Sequence, residues 1–384
     1  MVIDPVKIET VEIETATELA ALLADADSSV VGVTLQDLNL TDSGELAAKL
    51  VDRDLTGLVV LGGHYPDRVL AAMVRRGATV LPAIPGVPFN PYRSTLYRAT
   101  ELYANLENGY PATLDARCYR WNLQHRDSRD IPGAVFAGIH DTSITDALDE
   151  LLAVADRPLV AVMGGHRTVR GSADYAVAAD LGRRLSQTGA VVATGGGPGA
   201  MEAVNLGAAF GGRGRSDLDA ALQQLGAVPS FADVAGWARS ALEVAATLAG
   251  ETLCSVGVPT WFYSQEPPNV FADRIAKYFS NALREDVLLA RATGGVVVLP
   301  GAAGTVQEIF QTATRGYYAT GAAPAPMALV GYDYWRTVFP AWPLLQRLAA
   351  GRPIADRIAV CGTTEDAVRL LTDLAARPRR GDNG

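Results

Sequence analysis

An α/β fold with an open parallel sheet, preceded by a smaller α/β unit, is the fold class this sequence predicts. Three observations carry it. Short apolar runs such as Leu159 to Met163 and Gly295 to Leu299 alternate with stretches of helical apolar spacing, the pattern of strands buried on both faces between crossover helices. Several of those runs end in glycine turns, at Gly164-Gly165, at Gly195-Gly196-Gly197 and at Pro300-Gly301. A chain of 384 residues that is 49% hydrophobic also has the length and the apolar content for two domains, or for one with a large extension.

The elements follow in order. Val11 to Glu14 predicts a strand, Thr15 to Ala26 a helix, Val30 to Leu35 a strand and Gly44 to Val51 a helix. Gly57 to Leu61 then predicts a buried strand, and Pro66 to Arg76 an amphipathic helix. Pro82 to Pro91 holds too many prolines for regular structure, because each removes a donor and fixes φ, so it predicts a rigid loop. Ser94 to Glu107 has helical spacing, Tyr110 to Pro132 has no clear period, Gly133 to Gly138 predicts a strand and Ser143 to Asp156 a helix. Arg157-Pro158 is the expected joint, which divides the chain into 1–156, 157–376 and a frayed tail over 377–384.

Beyond the joint, Leu159 to Met163 is a buried strand that ends at Gly164-Gly165-His166; Asp174 to Gln187 is helical, Gly189 stops it, and Ala190 to Ala193 is the next strand. Ligands in open parallel sheets bind outside the carboxyl ends of the strands, so the turns at 164 and 195 should face one crevice. Val60-Leu61-Gly62-Gly63-His64 echoes Val162-Met163-Gly164-Gly165-His166, which a repeated strand-to-turn solution explains as well as duplication does. Val204 to Leu248 is helical with breaks at Gly211 to Gly214 and at Pro229, longer than a crossover needs. Cys254 to Pro259 predicts a strand and Thr260 to Asn269 an aromatic loop, whose rings either stack on a base or close the core. Phe271 to Arg291 predicts a long helix, Met327 to Val330 a strand, Tyr334 to Leu348 a helix, Ile358 to Cys361 the last strand and Thr364 to Ala375 the closing helix.

A net charge of −9 and a pI near 5.1 argue against nucleic acid or an acidic membrane surface as partner, since both call for a basic field. No apolar run approaches the roughly twenty residues of a spanning helix, and no apolar segment follows a basic start, so a cytoplasmic location without membrane attachment is expected. Cys118, Cys254 and Cys361 are scattered, and His64, His125, His140 and His166 lack ligand spacing, so neither a disulfide framework nor a metal is expected.

The chemistry concentrates between residues 295 and 311. An apolar strand runs through Pro300-Gly301 into a helix expected to start near Thr305, and such a turn aims unpaired backbone N–H groups and the positive end of a helix dipole at an anion. Thr305 either caps that helix or donates to a phosphate; Glu308 is then either the partner in a Thr-x-x-Glu capping box or a carboxylate beside the phosphate. The glycine turn at 195 satisfies Gly-x-Gly-x-x-Ala but follows the second strand of its unit, not the first, which argues against a dinucleotide fingerprint. No Gly-Lys-Ser/Thr triplet exists, which disfavours a P-loop, and the lysines Lys7, Lys49 and Lys277 leave only the last near this region for a Schiff base.

Pro300-Gly301-Ala302-Ala303-Gly304-Thr305-Val306-Gln307-Glu308 resembles the Pro-Gly-Gly-x-Gly-Thr-x-x-Glu motif of the LONELY GUY (LOG) family, nucleotide phosphoribohydrolases once misnamed lysine decarboxylases. Gly195-Gly196-Gly197-Pro198-Gly199-Ala200-Met201-Glu202-Ala203 resembles the family's other signature. The resemblance covers roughly residues 158 to 375, and with its long N-terminal part the chain looks most like the large bacterial nucleotide 5′-monophosphate nucleosidases. It implies a Rossmann-like domain of LOG type, catalytic roles for Glu308 and Arg284, and nucleotide or phosphate binding by Gly164, Gly165, Gly195, Gly196, Gly197, Gly199, Met201, Pro300, Gly301, Gly304 and Thr305. It also implies hydrolysis of the N-glycosidic bond of an AMP-like nucleoside monophosphate without a cofactor, a homodimer or higher homo-oligomer, and by analogy a regulatory N-terminal domain. Ala302 departs from the motif, which matters if that position needs positive φ. It keeps open a second reading, a non-catalytic carrier of a nucleotide or of the molybdenum cofactor. For protonation of the leaving base the candidates are Glu285, Asp286 and solvent; Glu202 is expected at a surface helix start, and the alternative for Arg284 is an exposed residue paired one turn away.

Overall fold

The computed structural model describes residues 11–25, 28–126, 130–248, 253–263, 266–319 and 323–375; the expected tail, 377–384, lies outside them. The chain divides into two compact units, residues 1–95 with 130–147, and residues 96–129 with 148–384.

In the first unit β1 (Val11–Ile13), α1 (Ala16–Ala24), β2 (Val33–Gln36), α2 (Gly44–Val51), β3 (Val59–Leu61), α3 (Asp67–Arg75) and β4 (Thr79–Leu81) alternate. The four strands form a parallel sheet in the order β1-β2-β3-β4. Its core includes Leu19, Leu35, Leu50, Val60 and Met73, one each from α1, β2, α2, β3 and α3, with Ile13 of β1. A capping box forms at Thr15 and Glu18, where an extended N-cap precedes the helix. The Gly-Gly-His echo does not extend to the backbone. Gly62 and Gly63 have φ of +62° and +80°, and neither Gly164 nor Gly165 has positive φ. Gly62 N–H and His64 N–H also donate to Leu81 O and Leu38 O, so that turn spends donors on its own sheet.

The second unit begins with α4 (Ala99–Leu102) and α5 (Leu114–His125), and α6 (Ile131–Ala155) runs from the first unit into it. Then come β5 (Leu159–Met163), α7 (Ala173–Gln187), β6 (Val191–Thr194), α8 (Ala200–Ala209), α9 (Arg215–Gly226), α10 (Val234–Ala245), β7 (Ser255–Gly257) and β8 (Arg274–Ile275). The chain continues through α11 (Asn281–Arg291), β9 (Gly295–Val298), α12 (Ala303–Tyr317), β10 (Met327–Val330), α13 (Ala341–Ala349), β11 (Ile358–Cys361) and α14 (Thr364–Ala375). Seven parallel strands lie in the order β11-β10-β9-β5-β6-β7-β8. Without the edge strand β8, that is the doubly wound Rossmann-like order, with its reversal between β5 and β9. The loops that leave those two strands are the ones that carry Gly164-Gly165-His166 and Pro300-Gly301.

Four expectations are corrected. Gly133 to Gly138 is helical, part of α6, because Pro132 falls in the first turn, where its missing N–H costs nothing, and no breaker follows until Pro158. The helix expected from Phe271 begins only at Asn281; before it β8 pairs with β7, and Ile275 exchanges hydrogen bonds with Tyr97, so tertiary pairing overrides helical spacing. Of Ser94 to Glu107 only α4 and a short turn of 3-10 helix are helical, because Asn105 adopts a left-handed φ of +68°. Tyr334 to Leu348 is broken at Pro340 into a π-helical turn and α13.

The cut expected at residue 156 also moves. Residues 96–129 belong with the large unit, held there by hydrogen bonds from Tyr103 OH to Pro268 O (2.6 Å) and from Asn122 Nδ2 to Trp261 O (2.9 Å). Asp115 adds a buried hub: one carboxylate oxygen accepts Lys277 Nζ at 2.6 Å and Trp261 Nε1 at 2.7 Å, and the other accepts Tyr110 OH. The single lysine near the glycine turns is thus committed to an ion pair. No helix among the described residues is long and apolar enough to cross a membrane.

Candidate active site

The carboxyl ends of β9, β5, β6 and β7 stand side by side, and their four loops build one site. Gly165 ties three of these loops together: its N–H donates to Pro300 O (3.2 Å) and its carbonyl accepts Ala200 N–H (3.1 Å). Gly164 leaves no room for a side chain, since a Cβ there would lie 2.9 Å from that of Ala200.

The turn after β6 is held from below by polar groups that sequence reading missed. Gly196 N–H donates to Thr194 Oγ1 (3.0 Å), Thr194 Oγ1 to Asn205 Oδ1 (2.6 Å), and Asn269 Nδ2 to Asn205 Oδ1 (3.0 Å) and Gly197 O (3.3 Å). Asn269 N–H also donates to Gly196 O. All three side chains are buried, and these bonds fix the turn's shape from below, while Asn205 Nδ2 has no hydrogen-bond partner among the described residues. Gly199 needs to be glycine twice over: its φ is +77°, and a Cβ would meet the His166 carbonyl carbon at 2.6 Å. Met201 lays its thioether over the turn, with Sδ 2.8 Å from the Cβ position of Gly195.

The turn after β9 differs from the expectation in one respect. α12 starts at Ala303, so Thr305 is its third residue and not its cap; Ala302 at the N-cap position makes no side-chain cap, and no Thr305–Glu308 capping box forms. Thr305 instead packs under the turn, its Oγ1 only 2.1 Å from where a Cβ on Gly301 would lie, so Gly301 is fixed by close approach. Gly301 O accepts Tyr334 OH (2.7 Å). Ala302 has a negative φ of −108°, so this position does not call for the positive φ that would demand glycine. Gly304 faces open space.

Arg284 and Glu308 meet between these turns. Arg284, on α11 below its Ser280 cap, is buried and not an exposed helix residue; its Nη1 donates to Glu308 Oε1 at 3.4 Å, and both Nη atoms lie 3.8 Å from the Cβ position of Gly195. That contact is long for a charge-assisted hydrogen bond, and the buried Arg284 Nε has no hydrogen-bond partner among the described residues. A buried guanidinium with an unspent donor suits an anionic or hydroxyl-bearing ligand. The Glu308 side chain is 13% exposed. Burial pushes its carboxyl up to about 7, Arg284 pulls the other way, and the carboxylates of Glu285 and Glu266 add to the push.

The remaining expected residues sort by contact. Asp286 is exposed and pairs with Arg315 at 2.8 Å. Glu285 is buried, and each of its carboxylate oxygens accepts a side-chain amide, Asn281 Nδ2 (2.8 Å) on one and Gln307 Nε2 on the other. Glu202 is not at the surface: it is fully buried in a fork-to-fork pair with Arg170, whose guanidinium lies over the Trp237 ring. The rings of the aromatic loop part ways. Trp261 closes the core, whereas Tyr263 is half-exposed, with its hydroxyl accepting Asn281 Nδ2 (3.0 Å) and its charge neighbours being Glu285, Arg284, Glu266 and Glu308. Glu266 and His166 also line this space, with His166 Nδ1 3.7 Å from Glu266 Oε1.

No protein-family model matches the chain, and no curated protein matches it. Among solved structures it is similar to the molybdenum cofactor binding protein of the phototrophic bacterium Rippkaea orientalis, at 15% identity over 57% of this chain and 98% of that one, with a TM-score of 0.37. It is similar too to the molybdenum cofactor carrier protein of Chlamydomonas reinhardtii, at 16% identity over 58% and 99% of the two chains, with a TM-score of 0.36. Likeness of this degree carries no functional argument, and the α/β fold with its parallel sheets stands on the strand order itself.

Proposed function

We propose that this chain hydrolyses the N-glycosidic bond of a nucleoside 5′-monophosphate, yielding the free base and ribose 5-phosphate, the reaction implied by its resemblance to the LOG phosphoribohydrolases. The observation that carries the reading is the buried Arg284–Glu308 pair between two glycine turns, with Arg284 Nε unspent.

In this reading the phosphate takes the backbone donors of the Pro300–Thr305 turn and the first turn of α12, where the N–H groups lack helical partners and the dipole is positive. The ribose lies against Glu308. As the bond to the base lengthens, positive charge builds on the sugar ring, which an adjacent carboxylate stabilises. A carboxyl that titrates near 7 also suits a general base, since it holds an appreciable carboxylate fraction at neutral pH and still takes a proton readily from the attacking water. Arg284 is always protonated, so it orients phosphate or ribose hydroxyls and does not transfer protons.

The test is release of free base from AMP, GMP, CMP, UMP and IMP, resolved by chromatography, with Glu308→Ala beside the parent. Base release by the parent and its loss in the variant, with nucleotide binding retained, is the expected result. Nucleotide binding without base release in the parent would turn the reading into a carrier.

A further inference from the structure

The proposed reaction needs a proton for the departing base, and the two carboxylates next to Arg284 in sequence do not provide it. Asp286 is tied to Arg315 on an exposed face, and Glu285 is locked by Asn281 and Gln307. We infer that His166, with Glu266 beside it, is the acid that protonates the leaving base. The inference rests on the proposed function and deepens it.

The placement follows from the sheet. His166 lies in the loop after β5, the strand between β9, which leads to Glu308, and β6, which leads to the triple-glycine turn. Its carbonyl packs on Gly199, so its backbone is seated on that turn, while its side chain stays 50% exposed and open to a ligand. Glu266 comes from the loop after β7 and reaches back across the same turn. Its Oε2 lies 3.7 Å from the Cβ position of Gly197, and its Oε1 is 3.7 Å from His166 Nδ1. A side chain longer than a methyl at 197 would fill the space Glu266 crosses, so the glycine serves this reach as well as the turn. Glu266 lies against Gly197 and Arg284 against Gly195, so both pairs border the same triple-glycine turn.

An imidazole can hand a proton to a leaving group from one ring nitrogen while a carboxylate beside the other orients the ring, here Glu266 Oε1 at 3.7 Å from Nδ1. The step balances. The bond from C1′ to the base nitrogen breaks with its electron pair going to the base, and His166 supplies the proton that neutralises it. Water adds to C1′ and gives its proton to Glu308. Solvent then returns a proton to His166 as Glu308 releases one. His166 is the catalytic residue in this scheme, and Glu266 is a positioning residue.

Two substrates test it: AMP, whose base leaves poorly unless protonated, and 4-nitrophenyl riboside 5-phosphate, whose phenolate leaves without a proton. For His166→Gln the expected result is a kcat on AMP lower by about 100-fold or more, the scale of general acid catalysis, with the nitrophenyl substrate turned over within about tenfold of the parent. Glu266→Gln should show the same split to a smaller degree, which a merely structural role would not produce. Equal losses on both substrates, or undiminished AMP turnover in His166→Gln, would overturn the inference and leave the function standing. A parent inactive on both substrates would overturn the function itself.

Discussion

At the scale of single residues, the group with the most consequence is Glu308, because its burial makes a claim on stability as well as on chemistry. A carboxyl raised from 4.5 in the unfolded chain to about 7 in the folded one binds more protons folded than unfolded between those values. Its contribution therefore falls as pH rises through that window: none of the cost is present below about 4.5, and all of it is present above about 7. At 1.36 kcal/mol per unit the cost is roughly 3 kcal/mol. Glu308→Gln imitates the protonated form, so urea unfolding should find it as stable as the parent near pH 4 and more stable by roughly 3 kcal/mol at pH 8, while inactive. A variant less stable than the parent at pH 8 would mean that Arg284 depends on the carboxylate more than burial opposes it. Glu308 and the glycine turns could be singled out because they belong to short stretches whose backbone shape their own letters dictate, whereas Arg284 was singled out by the resemblance alone. His166, Glu266, Asn205 and Asn269 were not legible, since their roles exist only where separate strands end side by side, and nothing local marks an asparagine that will support a turn.

Among the strands, the plainest in the sequence are those whose burial is uniform along their length, although β11, buried only in its second half, is also read with its full bounds. β5, β6, β9 and β10 are buried at every residue, and their continuous apolar runs give them away. β8 is two residues long and α6 crosses from one unit to the other, so for both the deciding contacts lie far off in sequence. The closest helix crossing, α7 on α8, was equally silent although it seats the triple-glycine turn on its helix. Gly182 and Gly207 allow the contact: a Cβ at Gly207 would lie 1.7 Å from Ala179 O, and one at Gly182 would lie 2.0 Å from Val204 O. Both obstacles are backbone atoms, which cannot rotate away. Gly207→Ala should therefore push the helices apart at a cost of about 1–3 kcal/mol or more, against the gain of up to about 1 kcal/mol that alanine brings to an unobstructed helix. Thermal unfolding of the variant reads the sign directly; an unchanged or raised midpoint would show that the crossing has slack.

For the molecule as a whole, the sequence suggested one cut, at the Arg157-Pro158 joint, and contacts place the division elsewhere. A well-patterned sheet begins after residue 157, but residues 110–129 have no clear period, and the segment 96–129 reveals its allegiance only through partners. Tyr97 pairs with Ile275, Leu106 O accepts Arg239 Nη2, and Asp115 neutralises the buried Lys277. Removing residues 1–156 to ask whether the N-terminal part regulates turnover would therefore strip the large unit of its own segment. Loss of Asp115 alone leaves a lysine charge without its counter-ion at a site 1% exposed, which costs about 3–5 kcal/mol. A chain that starts at residue 157 should unfold far below the parent or fail to fold, as followed by circular dichroism. One that starts at Leu96 keeps the Asp115 hub and the whole parallel sheet, and should unfold cooperatively with base release intact. If the shorter fragment melted with the parent, the 96–129 segment would be an ornament of the large unit. If only the longer one folds, it is the chain on which any regulatory role of the first sheet can be measured.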